Sequence, residues 1–116
     1  MKPNKHSKKE MKEFGKTKQI YVPIYPFIVT FCLLNKEGEK FIENKHAYTD
    51  ARTEKDGQKI FIYLRKNAEW PTVVHELFHA TEFIMLDVGQ KTDTPPNEAW
   101  AYLIQWITEE YIKFTK

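Results

Sequence analysis

Apolar and polar positions change their period three times along the chain, and the changes outline its elements. Residues 1–18 are polar and lysine-rich with no sustained pattern; only Met11 and Phe14, at i and i+3, hint at a short helix. From Gln19 the apolar positions become β-branched or aromatic: Ile20, Tyr21, Val22, Ile24, Tyr25, Phe27, Ile28, Val29 and Phe31. Pro23 and Pro26 cannot donate to a strand ladder, which predicts an edge or bend first and a full strand near Phe27–Leu34. Asn35-Lys36-Glu37-Gly38 reads as a turn and Glu39–Lys45 as a second strand. Residues 46–57 are mixed and polar and close on Asp56-Gly57, a further turn; Gln58–Leu64 then alternates enough to predict a third strand.

The period then shifts to that of a helix. Pro71 suits a first helical turn, where its missing N–H costs nothing. Val73, Val74, Leu77, Phe78, Ala80, Ile84 and Met85 carry the apolar content to about Leu86, with Gly89 as the stop. A polar loop with two prolines spans Gln90–Pro96, Asn97 is a suitable cap, and a last helix reaches about Ile112. Tail, strands, helix, loop, helix is the order of an α+β fold. The division it predicts is a basic tail over residues 1–18 and a single domain over 19–116.

Composition narrows the class. Apolar residues make up 41% and aromatics 15% of the 116 residues, enough to build a core. The net charge is +2, but it is unevenly placed: seven lysines against Glu10 and Glu13 put +5 on residues 1–18 and leave −3 on the rest. A mildly acidic body argues against an electrostatic nucleic-acid binder. Cys32 is the only cysteine, so neither an internal disulfide nor a cysteine-based zinc knuckle is available, and its apolar surroundings read as core. No apolar run is long enough to cross a bilayer, and the lysine-rich start lacks the apolar segment and cleavage site of a secretory signal. The expected setting is cytoplasmic, away from membranes.

The chemistry is concentrated in His75-Glu76-Leu77-Phe78-His79. On a helix the two histidines, four residues apart, project from one face, one turn above the other. Two imidazoles so placed can reach one zinc ion without distorting the backbone. Glu76 points about 100° round the axis. That offset makes it a poor third ligand and a good general base beside a metal-activated water. The competing reading, two core histidines flanking a glutamate on a half-buried helix, would be an odd structural choice, since each needs a polar partner there.

Zinc needs a third protein ligand. Candidates after the motif are Glu82, Asp87, Asp93, Glu98, Glu109 and Glu110; a third histidine six residues on is excluded, because that position is Met85. Glu82 shares the face of His75 and His79, but three ligands along one straight helix cannot surround an ion, so its expected role is a supporting partner or a solvated residue. Glu98 opens the last helix, after a loop long enough to reverse the chain, and can approach from a neighbouring helix. Tyr102, one turn after Glu98, is the candidate donor to a developing oxyanion, against the plainer reading of a packed ring. Trp70, Trp100 and Trp106 read as packing residues.

His75-Glu76-Leu77-Phe78-His79-Ala80, followed by Asn97-Glu98-Ala99-Trp100-Ala101-Tyr102, resembles the gluzincins, the thermolysin-like clan of zinc metallopeptidases, and above all their small single-domain members. The resemblance covers about residues 58–112. It implies a minimal zincin-like fold: a small, mostly antiparallel sheet of about three or four strands on an active-site helix and a following antiparallel helix. It implies zinc on His75, His79 and Glu98, Glu76 as base and acid, and a peptide or protein substrate bound by strand addition along Ile60–Leu64. The alternative it leaves open is a catalytically reduced relative that keeps zinc for binding or regulation. The brevity of the chain departs from the larger members, which add a helical domain.

Overall fold

The structure is a computed structural model and describes residues 14–45, 51–89 and 98–116. Among these, four strands and three helices follow in the order β1 (Gly15–Tyr21), β2 (Ile28–Leu34), α1 (Lys36–Lys45), β3 (Ala51–Asp56), β4 (Lys59–Arg65), α2 (Trp70–Asp87) and α3 (Glu98–Thr115). The strands form one sheet in the order β1-β2-β4-β3, antiparallel except for the central β2–β4 pair. The α+β class expected from the sequence holds.

Both central strands are covered on two faces, which is why they read as unbroken apolar runs. In β4, Ile60, Ile62 and Leu64 point to one side and Phe61 and Tyr63 to the other, all at most 2% exposed. The first face joins Val29 and Phe31 of β2 and takes α2 and α3; the second joins Cys32 and Leu34. Burial pushes the Cys32 thiol up to about 12, so it stays protonated and behaves as a small hydrophobe.

Helix α2 buries Val73, Leu77, Ala80, Thr81, Ile84 and Met85 on the sheet, a stripe with helical period. Thr81 satisfies its hydroxyl on the Leu77 carbonyl at 2.9 Å. Leu77 is 1% exposed at the middle of this stripe. Its replacement by alanine should lower unfolding free energy by about 2–5 kcal/mol, read as a shifted denaturant midpoint with unchanged slope.

Helix α3 buries Trp100, Leu103, Ile107, Tyr111 and Phe114. Tyr111 and Phe114 pack on Phe31, with ring centroids at 5.8 and 5.6 Å. Trp70 at the start of α2 meets Tyr111 late in α3, at 5.9 Å, and Phe78 meets Trp100 early in α3, at 6.0 Å. The two helices therefore run antiparallel, as expected. Lys16 of β1 donates to the Phe114 carbonyl at 3.2 Å and lies 5.2 Å above its ring, placing a cation at the C-terminal end of α3.

Four expectations need correction. The basic stretch 1–18 is not all tail, because β1 begins at Gly15 and pairs with β2 along its whole length. The predicted turn and strand over Asn35–Lys45 are a cap and helix α1: Asn35 Oδ1 accepts the Gly38 N–H at 2.8 Å, an N-cap bond, with Glu37 and Glu39 in the first turn. Asn and Gly serve turns and caps alike, and what settles the choice is the Phe14 carbonyl, which accepts the Asn35 N–H at 2.6 Å and passes so close to Gly38 that a Cβ there would collide with it. Residues 51–56, read only as part of a mixed, polar stretch, are strand β3. Finally, β4 cannot accept an added strand, because β2 and β3 already flank it; the sheet edge next to α2 is β3. The predicted loop Gln90–Pro96, the Asn97 cap and Met11 of the hinted short helix lie outside the described residues. Among the described residues no helix is long and apolar enough to cross a membrane.

Candidate metal centre

Helix α2 lies over β3 and β4 with its apolar stripe down, which leaves the faces of His75 and Glu76 pointing in different directions. His75 and His79 emerge on the open side, with side chains 65% and 40% exposed. Their Nε2 atoms converge to 3.0 Å, with the rings at 83°. Two nitrogens bound to one tetrahedral zinc stand about 3.3 Å apart, so a slight opening of this pair admits the ion. The Nδ1 of His79 faces Glu82 Oε1 at 3.4 Å, on the side of the ring away from His75.

Glu76 turns towards the sheet and is only 7% exposed. A buried carboxylate needs a partner, and Thr53 on the edge strand supplies it. Its Oγ1 stands 2.6 Å from Glu76 Oε1 and 3.1 Å from the Glu76 main-chain oxygen. Glu76 Oε2 lies 3.9 Å from His75 Nε2. These groups meet in a groove of about 330 Å³ lined by Ala51, Arg52, Thr53, His75, Glu76, His79 and Phe83. One wall is the sheet edge, so Glu76, the two imidazoles and a strand edge share one cleft. Lys55 of β3 pairs with Asp87 at 3.5 Å, fastening the far end of the same strand to the end of α2.

Glu98 and Tyr102 are not drawn into this cleft. Among the described residues no three His, Cys, Asp or Glu side chains form a group able to hold a metal ion. Glu98 is the exposed first residue of α3, four residues before Tyr102 and so on the same helix face. Tyr102 is 67% exposed and lines a second groove, of about 380 Å³, with Pro23, Ile24, Tyr25, Ala99, Leu103 and Trp106. Ile24 there is 95% exposed with φ 74°, a strained conformation for a β-branched residue. The antiparallel pairing nevertheless sets the first turn of α3 level with the turn of α2 that carries His79, since Trp100 packs on Phe78. Among the described residues the Trp100 indole N–H is buried there without a hydrogen-bond partner, an unmet demand that costs about 1–3 kcal/mol.

Thr53 is the site residue that sequence reasoning missed. The signal was present at the hairpin: Asp56 pairs with Lys59, Gly57 has φ 61°, and the loop holds only Gly57 and Gln58. A two-residue loop of this kind demands a strand of matching length before it. Alternation then places Ala51 and Thr53 on the face that looks at α2, opposite Leu64 and Ile62. Neither a family model, nor a curated protein, nor a solved structure matches this chain.

Proposed function

We propose that this protein is a small zinc-dependent metallopeptidase of gluzincin type, with His75, His79 and Glu98 as metal ligands and Glu76 as general base. The observation that carries the reading is the convergence of the two Nε2 atoms beside a buried, tethered glutamate at a strand edge. A zinc ion held there would polarise a peptide carbonyl and lower the pKa of the attacking water. Glu76 would accept that water's proton and pass it to the leaving amine, a transfer for which its Oε2 is left free by the Thr53 bond to Oε1. An extended peptide would lie along β3, the edge strand, rather than along the enclosed β4.

The third ligand is the step with least geometry behind it. Support for Glu98 is its level on the antiparallel neighbour of α2; bringing it to the ion requires the first turn of α3 to rotate from its present facing. That facing favours a second reading, a zinc-binding relative that does not cleave. Zinc analysis of protein purified without added metal tests both. The expected result is about one zinc per chain, lost or greatly weakened in Glu98→Gln, with Glu82→Gln costing about 10- to 100-fold in affinity. A metal-free wild-type protein that also fails to take up added zinc sinks both readings. Zinc bound equally well by Glu98→Gln removes Glu98 from the site, and zinc bound without any cleavage leaves the second reading standing.

A further inference from the structure

We infer that Thr53 is a positioning residue for Glu76, and that through it the edge strand, not the helix alone, sets where the base stands. The inference rests on the peptidase reading for its catalytic consequence, but its structural half stands on the contact itself.

A hydroxyl has one proton to give, and Thr53 Oγ1 has two acceptors in reach. The contact at 2.6 Å is to the carboxylate Oε1, the one at 3.1 Å to a main-chain oxygen. The shorter contact to the charged group takes the proton, because hydrogen bonds to ionised acceptors are both shorter and stronger. Thr53 is itself 7% exposed, so water competes poorly for either partner. With Oε1 tied, rotation of the carboxylate is stopped and Oε2 is the oxygen left facing His75.

The bond that holds Glu76 comes from outside its own helix. Glu76 springs from α2 between apolar Val73, Leu77 and Ala80, none of which offers a hydrogen bond to its side chain. The donor comes from another element: β3 brings it on a strand held by β4 along its length and by Lys55–Asp87 near its end. The same strand is the edge available to an extended peptide. Thr53 therefore gives the base and the bound backbone a common frame, so that a peptide seated on β3 is automatically in register with Glu76.

Thr53→Val keeps the shape and removes the hydroxyl; Thr53→Ser restores a hydroxyl; Thr53→Ala repeats the deletion should the valine protein fail to fold. We expect Thr53→Val to retain zinc and to lose about 10- to 100-fold in kcat. Its KM should stay within about twofold, and Thr53→Ser should recover most of the loss. In metal-free protein, the carboxyl ¹³C resonance of Glu76 should move in Thr53→Val and return in Thr53→Ser. An unmoved resonance, or full kcat in a zinc-loaded Thr53→Val protein, overturns the inference. Should the wild-type protein cleave nothing, the peptidase reading falls on its own, and the resonance alone then decides whether Thr53 holds Glu76.

Discussion

Replacing Glu76 with glutamine should leave zinc binding intact and lower peptide cleavage by about 10²- to 10⁴-fold, the usual contribution of a positioned general base. The amide is close in size and keeps an oxygen for Thr53, whose hydroxyl stands 2.6 Å from Oε1, so the buried pair should survive. Glutamine cannot take a proton from water, and the loss should fall on kcat with little change in KM. Zinc content measured on the same preparation separates a missing base from a missing ion. Cleavage that persists at the wild-type rate would remove Glu76 from the mechanism.

The second large effect is expected from His79→Ala. It deletes one of the two nitrogens that converge at 3.0 Å and removes the ring that Glu82 faces. Zinc should fall from about one per chain towards background, and cleavage with it, because two protein ligands rarely hold a catalytic zinc against competing water and chelators. The metal-free fold should be little changed. His79 is 40% exposed and outside the apolar stripe, so its removal should cost the apo protein at most about 0.5 kcal/mol. Unfolding curves with and without added zinc test this: the wild-type protein should gain stability from zinc by mass action and the variant should not. Equal stabilisation of both by zinc would place the ion elsewhere.

These two results bear on different links of the same arrangement. Glu76 tests what the cleft does, and His79 tests what it holds. If zinc depends on His79 and cleavage is absent throughout, the protein is a zinc binder whose α3 does not complete a catalytic site. The exposed position of Tyr102, in the other groove beside Ile24, fits that outcome and gives it no part in the cleft.

How far this arrangement was legible depended on whether each feature was written in neighbouring residues. Helix α2 was, because its apolar stripe, its proline near the start and Gly89 past its end (φ 83°) are local signals. So were β2 and β4, whose runs of β-branched and aromatic residues suit a position covered on both faces. The spacing of His75 and His79 is a property of the helix itself, so their convergence followed from the sequence as soon as the helix did.

What failed was non-local. Asn35–Lys45 carry residues that serve a turn or a cap, and the passage of Phe14 against Asn35 and Gly38 decides for the cap. Strand β3 is polar because only one of its faces looks at α2, and it is a strand because β4 offers an unpaired side, not because its own residues insist. By itself, then, the sequence determined a helix that presents two imidazoles on one face and a carboxylate about 100° away. Only the tertiary structure decided what that carboxylate meets. Sheet order put β3 rather than β4 at the edge, brought Thr53 to Glu76, and turned the face of α3 that carries Tyr102 to the other groove. The physical reason is that strand pairing and helix facing are set by contacts between residues far apart in the chain, whose energies no local period encodes.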